Sequence, residues 1–478
     1  MGDPLLDRGA LAAALELASG EARRYLEAID DEPVMPAGAA GALERWDDPM
    51  PERGDGALAA LTELAARGRD SAVRSSGPRF FHFVMGGGTP AALGADWLAS
   101  AYDQVAYAWA SSPFAARLEQ VAVDWLRQLF ELPTEFGGVL TSGATMANFV
   151  ALSAARNWWA ERVGIDVEEQ GLSGIAAPTI LTSGYVHPSA VQAIGMLGLG
   201  RANVRRLTRD AVGRLDLDAM QRALGELDGP AIVIANAGEV NAGDFDPLAD
   251  VADVARRHDT WLHVDAAFGL FARLTPETRG LTEGIDQADS VIADGHKWLN
   301  VPYDCGFAFV RRVDRVARAL NVGAAYLPSG EDPNPNFGFL APENSRRARA
   351  LAVWATLRGY GRNGYRAMVE RHVALARHLA GRVDAAPDLE RLAEVPLNIV
   401  CFRAHPPGLD DEERLNDLNR RLGTALLADG RVFAGTTTYA GKVALRPAIV
   451  NWRTEQRDID LLVDVVRELA AELSAGHQ

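Results

Sequence analysis

Between residues 113 and 312 short apolar runs alternate with stretches of helical periodicity, the runs being 138–141, 179–182, 231–235, 261–265, 290–294 and 306–310. Unbroken apolar runs of this length describe strands covered on both faces, so the pattern predicts an α/β fold: a mostly parallel sheet with helices on either side. Upstream, helical patterns at 11–29 and 57–67, broken by Pro and Gly, predict a helical N-terminal arm over residues 1–95. Residues 96–345 form the large domain. After a Pro-, Asn- and Gly-rich stretch at 328–344, a helical pattern over 345–357 that resumes at 364 leads into a small α+β domain, 346–478. There 398–402 and 443–447 are the predicted strands, and 457–473 the closing amphipathic helix.

Composition narrows the function. The chain of 478 residues carries 48 basic and 64 acidic side chains, a net charge of −16, which is the wrong sign for binding a nucleic-acid backbone. A small-molecule enzyme is the default. Cys305 and Cys401 lie far apart without metal-ligand spacing, so neither a metal site nor a disulfide framework is expected, and a reducing compartment is. The N-terminus lacks the pattern of a secretion signal, and no apolar run approaches the roughly 20 residues that span a bilayer. The expectation is a cytoplasmic protein acting on a small molecule, with no nucleic-acid or membrane partner.

The residues at the strand ends suggest which chemistry. Lys297 stands at the mouth of the run 290–294, where an enzyme would hold an aldehyde cofactor as a Schiff base. Asp265 ends the run 261–265, where an acid could keep a pyridine nitrogen protonated, and the small Ala267 would let a flat ring lie close. Together they point to pyridoxal 5'-phosphate. Thr141-Ser-Gly-Ala-Thr145 joins a strand to a helix whose N-terminus, at Ala144 and Thr145, suits a phosphate. His187, before Pro188 at a helix start, could stack on the ring. Each residue also has a structural reading on its own: a surface lysine, a helix-capping aspartate, a satisfied histidine.

The order of motifs makes the reading specific. Ser112-Pro113 with Leu118-Glu119, Gly143 to Asn148 with Ala154-Ala-Arg156, His187-Pro-Ser189, Asp246-Pro247, His263-Val-Asp-Ala-Ala267, His296-Lys-Trp298, Arg346-Arg-Ala-Arg349 and Leu445-Arg446 follow one another between about 80 and 455. In this the chain resembles the group II pyridoxal phosphate-dependent amino acid decarboxylases, similar to aromatic amino acid decarboxylase. The resemblance implies fold type I architecture, a homodimer with active sites near its interface, and decarboxylation of an L-amino acid to an amine. It also implies Lys297 as the Schiff-base lysine, Asp265 as the partner of the pyridinium and His187 as the stacking residue. Asp294 and His296 would lie near phosphate or substrate carboxylate, with His296 among the catalytic residues.

Three departures bear on the outcome. Asp294 replaces the asparagine common in animal relatives. Counting back from the Arg-Arg motif places Phe337 where relatives carry a tyrosine that assists protonation, an exchange that in plant relatives accompanies oxidative formation of an aldehyde. Alternatively Tyr326, Tyr303 or a histidine supplies that proton. Ala237-Gly-Glu-Val-Asn241 stands where animal relatives often carry a threonine pair; Glu239 there could recognise a substrate amine, and a solvated turn is the expectation for it. Phe81, Phe83 and Tyr107 fall in regions that line the side-chain pocket of relatives, which favours an aromatic or apolar substrate. Plain decarboxylation leads. Aldehyde formation, transamination or carbon–carbon cleavage on the same scaffold, and a non-catalytic binding role, are the alternatives.

Overall fold

The computed structural model describes residues 3–322 and 334–475, so Tyr326 lies outside the described residues. Helices α1 (Leu11–Ala28) and α2 (Ala57–Ser71) pack against each other, and neither has a fully buried residue. The next two helices show why the chain turns helical where it does. At α3 (Pro90–Tyr102) the Thr89 hydroxyl accepts the Ala92 N–H at 3.3 Å, and at α4 (Pro113–Leu129) the Ser112 hydroxyl accepts the Ala115 N–H at 3.1 Å. Each has Pro in its first turn, where a missing N–H costs nothing.

The large domain then alternates strands and helices: β1 (Gly137–Thr141), α5 (Ala144–Arg162), β2 (Ile180–Thr182), α6 (Pro188–Met196), β3 (Val204–Arg206), β4 (Ala231–Asn236), β5 (Thr260–Asp265), β6 (Ser290–Asp294) and β7 (Gly306–Val310). These strands form one seven-stranded sheet in the order β1-β7-β6-β5-β4-β2-β3. Only β7 runs against the rest, pairing antiparallel with both β1 and β6. Every residue of β4 to β7 is buried, as their continuous apolar runs require. The mostly parallel α/β sheet is therefore as expected, whereas β3, with two exposed arginines at the sheet edge, carries too little apolar pattern to be read as a strand.

Helix α7 (Ala350–Ala385) starts five residues later than its pattern suggests, and it is broken at Gly361, whose φ of 58° is left-handed. The delay has a cause. Arg346 is drawn into the large domain, where its guanidinium meets Glu119 at 2.8 and 3.2 Å and bonds the carbonyls of Ala106 (2.5 Å) and Leu140 (2.7 Å). Glu119 in turn accepts the Leu140 N–H at 3.0 Å, so this buried pair clamps β1 just before its C-terminal end. Glu119→Ala would strand a buried cation, and we expect a loss of about 3–5 kcal/mol, read as a lower urea midpoint. A change within about 0.5 kcal/mol would mean that the pair is dispensable.

The first half of α7 packs on the large core, and Leu375, Ala376, Leu379 and Val383 of its second half join the smaller core. That smaller core is completed by β8 (Leu389–Arg391), β9 (Phe402–Ala404), α8 (Glu412–Asp429), β10 (Thr436–Tyr439), β11 (Lys442–Leu445) and α9 (Gln456–Ala475), with the sheet order β10-β11-β9-β8. The strand expected at 398–402 is displaced to Phe402–Ala404, leaving Ile399 with a single bridge to Ala448.

Candidate active site

The sheet topology brings the chemistry to one rim. Thr141, Thr182, Asp265 and Asp294 end parallel-running strands β1, β2, β5 and β6, and a ligand crevice in an open α/β sheet lies outside such ends. The reversed β7 begins at that rim, with Gly306 opposite both Thr141 and Asp294. A side chain there would come within 2.6 Å of the Gly143 backbone, so glycine is needed for β1 and β6 to share this edge.

Lys297 lies in the turn Gly295–Leu299 that follows β6, and its Nζ is 3.1 Å from Asp294 Oδ2. The Asp294 Oδ1 atom accepts the Ala144 N–H at 2.6 Å and lies 3.6 Å from His296 Nε2. The His296 ring stacks on Tyr303 at 4.2 Å, and the Gly86 N–H donates to its carbonyl at 3.1 Å. A Cβ at Gly86 would sit 1.8 Å from the Lys297 carbonyl, so the 86–88 stretch runs directly against the lysine turn. Burial pushes the His296 imidazole below its ordinary value, partly countered by Asp294.

Asp265 is buried and held at both oxygens: Oδ1 accepts the Ala267 N–H at 3.2 Å and Oδ2 an Asn148 Nδ2 hydrogen at 3.1 Å. His187 caps α6, its Nδ1 accepting the Ser189 N–H at 3.2 Å with the Ser189 hydroxyl at 2.7 Å. Burial also pushes His187 below its ordinary value, and the charges acting on it include Asp265, Lys297, Asp294 and Arg446. These residues thus share one electrostatic neighbourhood.

The donor set fits the expected cofactor. Helix α5 has no side-chain cap, and the N–H groups of Thr145 and Met146 meet no acceptor among the described residues, which leaves them free for a phosphate. An amine, an acid and an imidazole lie on the same rim. Asp294, whose carboxylate takes the Ala144 N–H, opposes an anion at this helix start. Removing its charge while keeping an acceptor for Ala144 should tighten pyridoxal phosphate binding: Asp294→Asn is expected to lower the dissociation constant about tenfold. An unchanged constant in an absorbance titration would place the phosphate elsewhere.

Other expectations fare differently. Glu239 is not in a solvated turn. It is 4 % exposed, and its carboxylate accepts the N–H groups of Asn241 and Ala242, both at 2.8 Å, so its charge is spent on folding its own turn. Phe81 is 1 % exposed and packs in the small-domain core. Tyr107 is buried against Gly338, where any side chain would lie 2.0 Å from its ring. Phe337 begins a short turn, Phe337–Leu340, and is buried in the large core. Only Phe83 presents its ring, 56 % exposed and 3.8 Å from His82.

Sequence reasoning passed over Asn148, Ser189 and Arg446 as functional residues, although all three stood in the quoted motifs. Arg446 is held by the carbonyls of Phe83 (3.2 Å) and Val240 (3.1 Å), has no carboxylate within ion-pair distance among the described residues, and is pushed down by burial. An arginine after a buried strand with no acid in register was the available signal.

The fold is that of fold type I pyridoxal phosphate enzymes, and the rim carries an amine, an acid and an imidazole where such a cofactor would lie. Residues 44–405 match the family described as pyridoxal-dependent decarboxylase conserved domain, and the chain belongs to that family. Aromatic-L-amino-acid decarboxylase of Bacillus atrophaeus is 30 % identical over 407 residues, 84 % of this chain and 82 % of that protein. L-2,4-diaminobutyrate decarboxylase of Rhizobium meliloti (strain 1021) is 32 % identical over 444 residues, 90 % of this chain and 85 % of that protein. The structure of Oryza sativa TDC with PLP and tryptamine superposes with a TM-score of 0.90 at 26 % identity, covering 99 % of this chain and 100 % of the other.

Proposed function

We propose that this enzyme removes the α-carboxylate of an L-amino acid with an aromatic or apolar side chain, giving the amine and carbon dioxide. The observation that carries this reading is the single rim that joins Lys297, Asp265, His187 and the open N-terminus of α5. When bound, pyridoxal phosphate supplies an electron sink for the bond being broken. The protein does the rest. Lys297 would hold the aldehyde, and its amine is available to release product. Asp265, fixed at both oxygens, would hold a proton on the ring nitrogen. His187 would cover the ring, Ala267 would leave room beneath it, and the amides of Thr145 and Met146 would take the phosphate. Arg446, a half-buried cation with no carboxylate within ion-pair distance among the described residues, would orient the substrate carboxylate, and Phe83 would meet its side chain.

Substrate class rests on Phe83 and on Glu239, whose two oxygens already accept the N–H groups of its own turn. Aldehyde formation has no support from Phe337, whose ring is packed into the core. A homodimer and a cytoplasmic setting complete the proposal; for the setting, the support is two buried, unbridged thiols, Cys305 and Cys401. Among the described residues no helix is long and apolar enough to cross a membrane.

The test incubates cofactor-loaded enzyme with the common amino acids and 2,4-diaminobutyrate while carbon dioxide, ammonia, peroxide and oxygen are followed. Carbon dioxide from aromatic or apolar substrates without ammonia is the expected result. Ammonia with peroxide would replace it with the oxidative reaction, and preference for the diamino acid would overturn the substrate class.

A further inference from the structure

We propose that Asn148 and His263 are positioning residues for the cofactor ring: a buried relay starting at Trp261 fixes how Asp265 meets the ring nitrogen. The inference rests on the reading of Asp265 as the partner of that ring nitrogen.

The relay has one possible direction. The indole Nε1–H of Trp261 can only donate, and it donates to Ser290 Oγ at 3.0 Å. Ser290 Oγ keeps its own hydrogen for His263 Nδ1, 2.9 Å away, the direction required at the other end of the relay, where the Asp265 carboxylate accepts from Asn148. With Nδ1 an acceptor, the neutral imidazole carries its hydrogen on Nε2, which faces Asn148 Oδ1 at 2.7 Å. Burial favours that neutral form, pushing His263 down to about 4. The amide of Asn148 cannot flip, because flipping would set two donors against each other at His263 and two acceptors at Asp265. Its NH2 group must then donate to Asp265 Oδ2 at 3.1 Å and lean toward Ser189 Oγ at 3.4 Å. At His187 the Nδ1 atom accepts the Ser189 N–H, with the Ser189 hydroxyl 2.7 Å away. The hydrogen of His187 is left on Nε2.

Trp261, Ser290, His263 and Asn148 are all essentially inaccessible to water. In such surroundings hydrogen bonds polarise one another and none is exchanged with solvent. The chain ends at Asp265, the residue proposed to meet the ring nitrogen, and Asn148 is its last link. With Oδ1 of Asp265 on the Ala267 amide and Oδ2 on Asn148, the carboxylate plane is set before any cofactor arrives.

The test uses holoenzyme loaded with pyridoxal phosphate isotopically labelled at the ring nitrogen and read by solid-state nitrogen NMR at neutral pH, alongside steady-state kinetics. In Asn148→Leu and His263→Leu the ring-nitrogen resonance should move toward the neutral-pyridine position, and kcat should fall about 10- to 100-fold with KM within about twofold. His263→Gln, whose amide N–H can stand where Nε2–H stood, should restore both. Ser290→Ala, a smaller change in the same relay, should give a partial shift and carries the test if a leucine variant does not fold. An unmoved resonance in the folded relay variants overturns the proposal. Asp265→Ala separates the two ideas: if it moves the resonance and the relay variants do not, only the relay is wrong. If it too leaves the resonance unmoved, the reading of Asp265 fails.

Discussion

Lys297→Ala enzyme is expected to release carbon dioxide at least about 10³-fold more slowly than the wild type, from every amino acid the wild type accepts. No other amine stands on the rim among the described residues: the one other lysine of the chain, Lys442, is held by Glu390 at 3.1 Å. The variant should fold, since the lysine side chain is partly exposed and removing it frees Asp294 to keep its bond from the Ala144 N–H. It should also retain cofactor weakly through the amides at the start of α5. Borohydride treatment followed by peptide mapping gives the independent check, labelling the peptide that contains position 297 in the wild type and nothing in the variant. Normal turnover by Lys297→Ala would remove the lysine from the chemistry.

The second large effect is at Asp265. Asp265→Ala should slow carbon dioxide release by about 10²–10³-fold, the scale seen when one preorganised charge partner is taken from a water-excluded site. Cofactor affinity should fall with it. There is a stability effect too, because Asn148 loses its acceptor inside the protein, and an unsatisfied buried donor costs about 1–3 kcal/mol. Measuring rate, cofactor dissociation constant and urea midpoint on one preparation separates the chemical loss from the structural one. A rate within threefold of wild type would show that the ring nitrogen does not depend on this acid.

The large sheet could be read from the chain because β4 to β7 are buried on both faces, which forces unbroken apolar runs. Edge strand β3 escaped for the opposite reason: Arg205 and Arg206 face water, and only Val204 is buried. The shift of β9 and the late start of α7 are tertiary effects. Arg346 leaves the helical pattern to join Glu119, more than two hundred positions away, and no local window registers that. At the site, Lys297, Asp265 and His187 stood out because their residue types are unusual after apolar runs. Asn148 did not, since an asparagine among alanines on a helix gives no hint that His263 and Asp265 stand on either side of it. The aromatic residues misled in a physical way: Phe81 and Phe337 fill cores, which is what most phenylalanines do. Glu239 misled because a carboxylate consumed by its own turn looks, in sequence, like one left in water.

The reversal of β7 divides the sheet into two unequal margins. At one, Gly306 is wedged between the ends of β1 and β6, so lengthening any neighbouring connection there would disturb the ligand crevice. At the other lie the departure from Val310 and the entry to Ser290, tied together by the bond from the Arg311 N–H to the Asp289 carbonyl at 2.9 Å, with β5 joined by the Asp289 N–H to the Leu262 carbonyl at 2.9 Å. Evolution can therefore splice, extend or decorate that far margin, at His258–Asp259 for instance, while the reactive crevice stays in register.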